Sequence, residues 1–429
     1  MQLIAAGYNL FLSALWPVLA LCYIVRSHGS SRQRGHYRNR LGIGLPKRAG
    51  KKHCVWIHAL SVGETTSVAP LVRTIKEKYP ALNIVFSTAT ESGQEIARRT
   101  LGRQVEVFFT LPHDFNWAMR ALVKRLRPAL FMQVETDIWP NLLWSLKKQQ
   151  IPAVLVNGRI SPASLRRLMP LRRLYGRVLR GFDRIFVQSA RDRSSYVALG
   201  FPTTRIYDEG NLKFDQAVAP AGEDQIARLR EETGIAPRRP AWIAGSTHDG
   251  EEKLLLEVHQ RLLQSYPDLL LILAPRHPER AANLLLLCRA ARLPVASRSA
   301  RQSAAQTAVF ILDTLGELAQ FYALADCAFV GGSLIPFGGH NPLEPLAQGK
   351  PVLWGPHFFN FQHLEELLLA SGCGRQVSGK EQLFAVLHDL FADPAGAETL
   401  HQRAALLFRE NQGCSQRILK QIADLMNQV

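Results

Sequence analysis

Before Glu64 the chain has no acidic residue, and several other signatures are missing along its 429 residues. The six cysteines (Cys22, Cys54, Cys288, Cys327, Cys373 and Cys414) form no C-x-x-C pair and no disulfide-scaffold spacing. That excludes a stapled secreted domain and suits a reducing compartment. No G-x-G-x-x-G follows the first strand pattern and no G-x-x-x-x-G-K-[ST] occurs, so ordinary dinucleotide and P-loop readings fail. H-E-x-x-H and other metal-ligand spacings are absent too, as is any internal repeat of solenoid period. With 47% hydrophobic and 20% charged residues, the chain is neither disordered nor collagen-like. Its length suggests two domains.

What is abundant is positive charge, a net +17. Such a surplus implies an anionic partner. Arg26, Arg32, Arg34, Arg38, Arg40, Lys47, Arg48, Lys51 and Lys52 crowd behind an uncharged run from Leu3 to Val25. The pairing favours a membrane surface over nucleic acid. The run is long enough to cross a bilayer, and charge after it rather than before argues against a secretory signal. The positive-inside rule leaves the remainder in the cytoplasm. Gly7, Asn9, Ser13 and Pro17 weaken the span, so a helix lying in the interface is the alternative. Removing residues 1–25 is then expected to release the protein from membranes more than it damages chemistry.

Short apolar runs then alternate with helical patterns. Expected strands are Cys54–Ile57, Ile84–Ser87, Val105–Phe109, Leu130–Val134, Ala153–Val156 and Ile185–Gln188, with helices such as Ser67–Tyr79 and Glu91–Leu101 between them. Continuous rather than alternating apolar strands predict a parallel sheet covered on both faces. A linker-like segment, 216–225, interrupts the pattern, which restarts with Trp242–Ala244, Leu269–Leu273, Val309–Leu312, Ala328–Val330 and Val352–Trp354. Ser297–Thr307 reads as an exposed loop. The expected organisation is an N-terminal membrane anchor (1–26), a first Rossmann-like domain (27–215), the linker and a second Rossmann-like domain (226–429) whose last helix crosses back. Two doubly wound halves imply a cleft, with ligands beyond the carboxyl ends of the strands.

The polar residues gather at those strand ends. In His58–Glu64 (HALSVGE), Gly63 permits a tight turn, and Glu64 falls on a first helical turn whose amides stabilise its ionised form. A carboxylate there suits a general base; it equally suits a cap that offsets the dipole. Glu135 and Asp137 (VETDIWPN) close a buried strand, as a site loop or as a cap by Thr136 or Asp137 with Pro140 in the first turn. Lys213 (GNLKFD) is able to neutralise carboxylate or phosphate. Arg276 (APRHPER) is able to grip phosphate bidentately. Asp313–Glu317 (DTLGE) closes another strand and opens a helix, as an amide-lined pocket or as an ordinary cap. Gly331–Ser333 and Gly338–Pro345 place glycines and Asn341 before a proline helix start, with amides toward an anion and Glu344 toward ribose hydroxyls.

The strings HALSVGE, VETDIWPNL, GNLKFD, APRHPER, DTLGELAQFY, FVGGS and GGHNPLEP resemble, in order from about residue 53 to residue 360, those of bacterial 3-deoxy-D-manno-octulosonic acid (Kdo) transferases. The resemblance implies an α/β GT-B glycosyltransferase of two Rossmann-like domains with a membrane-anchor helix. It implies inverting transfer of Kdo from CMP-Kdo to the lipid A precursor in lipopolysaccharide synthesis, without cofactor, metal or nucleic acid. It places the enzyme on inner-membrane lipids with its catalytic domains on the cytoplasmic side. By motif, Glu64 becomes the general base and Glu135 and Lys213 stabilise the transition state. Pro275, Arg276, Leu315, Gly316, Glu317, Asn341, Pro342, Leu343 and Glu344 hold CMP. The rival readings are a GT-B transferase using a UDP-sugar on a polyprenyl lipid, and a non-catalytic basic membrane protein.

Overall fold

Apolar strands that do not alternate must be buried on both faces, and the chain meets that demand twice. The computed structural model describes residues 2–26, 31–46, 54–216 and 220–426. Lys47, Arg48, Lys51, Lys52 and part of the expected linker (217–219) lie outside them. The chain divides into two units, Met1–Gln216 with Asn411–Val429, and Ala217–Glu410.

In the first unit, strands β1 (Cys54–Ala59), β2 (Asn83–Thr88), β3 (Val107–Thr110), β4 (Leu130–Val134), β5 (Ala153–Gly158), β6 (Arg184–Val187) and β7 (Ile206–Asp208) form a parallel sheet ordered β3-β2-β1-β4-β5-β6-β7. Successive strands step away from β1 on both sides, so the winding reverses between β1 and β4, where α/β sheets bind ligands. Around the sheet stand α1 (Gln2–Arg26), α2 (Ser31–Arg40), α3 (Val62–Lys78), α4 (Glu91–Leu101), α5 (Asn116–Leu126) and α6 (Pro140–Lys148). One face buries Trp56, Phe131 and Phe182; the other buries Phe86, Met132 and Phe186. Each such side chain contributes roughly 1.5–3 kcal/mol by leaving water.

The second unit repeats the plan. Strands β8 (Ala241–Thr247), β9 (Leu270–Pro275), β10 (Val295–Ser297), β11 (Val309–Ile311), β12 (Cys327–Val330), β13 (Val352–Trp354) and β14 (Gly374–Gln376) make a parallel sheet ordered β10-β11-β9-β8-β12-β13-β14. Its reversal lies between β8 and β12. There Gly331 allows two backbones to meet, since a Cβ on it would lie 2.4 Å from the Ser246 carbonyl oxygen.

The second unit ends at Glu410, where the chain turns back as the expected crossing of the last helix would require, and a helix, Glu223–Thr233, begins inside the expected linker. The closing helices return to the first unit, where Cys414, Ile418, Leu419, Ile422 and Met426 bury against its sheet. Asp215 clasps them, accepting from the Gly413 N–H at 2.7 Å and the Ser415 N–H at 2.6 Å.

Candidate active site

In the first unit, β1 runs into Ser61, which caps α3 by accepting the Glu64 N–H at 3.4 Å. Glu64 sits in the first turn, only 7% exposed, with its Oε2 accepting the Leu60 N–H at 2.6 Å. That amide favours the ionised form, as the helix start suggests, but it does not prevail. Burial, then the nearby charge of Glu135, pushes the Glu64 pKa up to about 8.

Glu135 follows β4 with φ +61, a conformation that costs a non-glycine residue roughly 1–3 kcal/mol and collects at functional sites. Its N–H donates to the Val156 carbonyl at 2.9 Å, and Asn157 Nδ2 lies 3.4 Å from its Oε1. Burial raises the Glu135 pKa against the pull of Lys213 and Arg159. Lys213 answers in the opposite sense: burial lowers its pKa against the attraction of Glu135. The structure therefore brings Glu64, Glu135 and Lys213 into one electrostatic group. Neither Thr136 nor Asp137 caps α6, which starts at Pro140 with Trp139 as its cap residue. Asp137 faces Arg40 instead. Arg40, grouped by sequence with the membrane-facing cations, turns inward. It donates to the Leu111 carbonyl at 2.7 Å, and its guanidinium lies 5.8 Å from the Trp139 ring centroid.

In the second unit, Pro275 ends β9 and the Arg276 N–H donates to the Thr247 carbonyl at 2.9 Å. Arg276 carries its charge toward Glu344, whose pKa burial raises and both Asn341 and Arg276 pull down. Asn341 Oδ1 accepts the Leu343 N–H at 3.1 Å while its Nδ2 lies 3.4 Å from Glu344 Oε1. Arg276, Asn341 and Glu344 thus form a second group, with Pro342 at the cap of the helix Leu343–Ala347. His340 belongs to it as well: its Nε2 is 2.7 Å from that of His248, and burial with surrounding cations holds its pKa near 4.

Leu315, Gly316 and Glu317 stand differently. Leu315 is 82% exposed, and Glu317 is engaged by Arg298 at 2.8 Å and by the Thr314 hydroxyl. Among the described residues no hydrogen bond or ion pair joins Glu317 to Arg276, Asn341 or Glu344. Asp313 is no helix cap, since its carboxylate accepts the Ser299 N–H at 2.8 Å.

At the first part of the glycine string, just after β12, the amides already have a carboxylate. Fully buried Glu251 takes the N–H groups of Gly332 (2.7 Å), Ser333 (3.0 Å), Leu334 (3.0 Å) and His248 (3.0 Å). Among the described residues, no group of three or more His, Cys, Asp or Glu side chains is arranged to hold a metal ion.

The model of the 3-deoxy-D-manno-octulosonic-acid transferase (kdotransferase) family matches residues 35–216. The 3-deoxy-D-manno-octulosonic acid transferase of Haemophilus influenzae is 35% identical over 94% of this chain and 94% of its own length. The Bordetella pertussis protein of the same name is 32% identical over 86% of this chain and 87% of its own. The chain belongs to the Kdo transferase family. Like its relatives, this Kdo transferase is by family a glycosyltransferase and an enzyme. UDP-GlcNAc 2-epimerase from Neisseria meningitidis, bound to UDP-GlcNAc, aligns with 87% of the chain at a TM-score of 0.57 and 11% identity, which supports the GT-B type of fold alone.

Sequence reasoning missed several residues that build this Kdo transferase's candidate site. Asn157, near the end of β5, and Arg159, just after it, form the string NGR, a strand-end polar cluster of the same kind as those singled out. Glu251 and His248 were missed because nothing local marks a buried carboxylate as the partner of a loop some eighty residues later (Gly332, at a separation of 81).

Proposed function

We propose that the chain transfers Kdo from CMP-Kdo to an anionic lipid A precursor, with inversion and without a metal, at the inner membrane. The observation that carries the reading is Glu64: a buried carboxylate beside Glu135 with its pKa near 8, poised to exchange a proton close to neutral pH. In its ionised form Glu64 takes the proton from the acceptor hydroxyl. The freed oxygen attacks the anomeric carbon, the bond to the CMP phosphate breaks, and CMP leaves from the opposite face, which inverts the centre. Positive character grows on the sugar as that bond lengthens, and Glu135 favours it. Lys213 balances the carboxylates and the negative groups of the substrates.

Pro275, Arg276, Leu315–Glu317 and Asn341–Glu344 hold the donor. Arg276 offers the charge that a departing phosphate requires, and Glu344 accepts from ribose hydroxyls. The apolar helix Ala6–Tyr23 has the length and composition to cross a membrane, and the basic segment behind it suits an anionic cytoplasmic leaflet.

Purified protein, CMP-Kdo and a tetra-acylated lipid A precursor test the whole reading by mass spectrometry. Wild type adds the mass of Kdo, whereas Glu64→Gln still binds CMP and adds none. Near-normal turnover by that variant refutes the base, and a competent assay without any Kdo adduct refutes donor and acceptor together.

A further inference from the structure

Helix α1 is apolar on its outer side but is bonded along its inner side to the catalytic loop region. Leu10, Phe11, Val18 and Leu21 are exposed, while Leu12 and Leu19 pack on the core of the first unit. Between these lie polar residues that a lipid-bound span would not tolerate without partners. The Tyr8 hydroxyl donates to Asp114 Oδ2 at 3.0 Å, Asn9 Oδ1 accepts from Asn141 Nδ2 at 2.7 Å, and the Tyr23 hydroxyl lies 2.6 Å from His113 Nε2.

Both ends of this network reach the site. Buried Asp114 accepts the Asn141 N–H at 2.8 Å and the Leu142 N–H at 3.0 Å, holding the first turn of α6. The Asn141 amide also donates to the Asp114 carbonyl at 2.6 Å. That turn follows directly on Glu135, Asp137 and Trp139. The other arm runs from Tyr23 through His113 to Arg40, whose Nη2 is 3.1 Å from His113 Nδ1. Arg40 in turn covers Trp139 and faces Asp137.

We propose that α1 is a positioning element of the active site: Tyr8, Asn9 and Tyr23 hold the start of α6, and with it the Glu135–Trp139 loop, in register with Glu64. Anchoring and catalysis are then functions of two sides of one helix, and removing residues 1–25 damages chemistry as well as membrane binding. The helix lies along the first unit rather than standing away from it. The inference rests on the reading that Glu64 takes the acceptor proton and Glu135 favours the positive charge growing on the sugar.

The test uses the full-length protein with a detergent-dispersed acceptor and with vesicles of phosphatidylethanolamine and phosphatidylglycerol. Asn9→Leu leaves the Asn141 amide short of an acceptor, and Tyr8→Phe leaves Asp114 short of a donor. Each is expected to lower kcat tenfold or more, with the KM for CMP-Kdo and vesicle partition unchanged. The ascending limb of kcat against pH should move to lower pH, because a displaced Glu135 no longer crowds Glu64. The other groups acting on Glu64, the Leu60 amide and Asp137, do not reverse that sign. A loss of folded protein alone scales kcat and leaves the limb in place. The triple variant Leu10→Ser, Phe11→Ser, Leu21→Ser should show the converse, weaker partition with unaltered kcat. Turnover within twofold of wild type in Tyr8→Phe, Asn9→Leu and Tyr23→Phe combined overturns the proposal. A lowered kcat with an unmoved limb does so too. If Glu64→Gln keeps its activity in the same assay, the reading of the site fails instead.

Discussion

A carboxylate works as a base only when ionised, and Glu64 is held in an environment that resists ionisation. With its pKa raised to about 8 from an ordinary 4.5, the activity should rise as pH passes through that region. Replacing Glu135 by Gln removes the nearest like charge, so the limb should move to lower pH even as kcat falls; a stationary limb in a pH–rate profile contradicts the coupling. The same shift has a consequence for stability. The unfolded chain loses this proton near pH 4.5 and the folded chain near 8, so stability falls as pH rises between those values. Glu64→Gln should therefore melt a few degrees higher than wild type at pH 8.5 and at the same temperature at pH 4, read by scanning calorimetry. The position of Glu64 at a strand end was legible in HALSVGE. Its protonation was not, because that depends first on burial and then on Glu135, which only the pairing of β1 with β4 brings near.

At the scale of elements, the strands that sequence reading found are those whose residues are mostly apolar, such as Leu269–Leu273. The three it missed, β7, β10 and β14, hold three residues each and lie at the sheets' outer positions or end in polar side chains. An edge strand needs burial on fewer sides, so its sequence carries less hydrophobic signal. β10 closes at Ser297, where the expected loop begins. Pro70 inside α3 did not break the helix. Loop structure was the least legible, and the turn after β12 shows why. Its amides converge on Glu251, a contact between elements far apart in the chain. Glu251→Gln offers those four donors one carbonyl and two further donors. The expected cost is about 1–3 kcal/mol for each amide left without an acceptor. Fluorimetric melting should show the loss, and CMP titration should show at least a tenfold weaker affinity. A variant that binds CMP normally would separate this turn from donor binding.

For the whole molecule, the return of the chain to its first unit decides which parts depend on which. Ile418 is fully buried against the first sheet, so Ile418→Ala should cost about 2–5 kcal/mol, visible as an earlier unfolding transition of that unit in scanning calorimetry. CMP binding, assigned to the second unit, should be unaffected below that transition, and loss of both together would contradict the division. The crossing was anticipated only as a helix of unknown reach, because Cys414–Gln421 (CSQRILKQ) has the pattern of any amphipathic surface helix. Its destination is written in Asp215 and in the apolar face that awaits it. During synthesis this arrangement reverses the expected order of maturation. The half that emerges first from the ribosome lacks its closing helices until residues beyond Asn411 are made, while the half made in between already has every residue it needs. A released chain truncated just short of Asn411 should therefore display a protease-resistant second unit beside a first unit that is still open to cleavage.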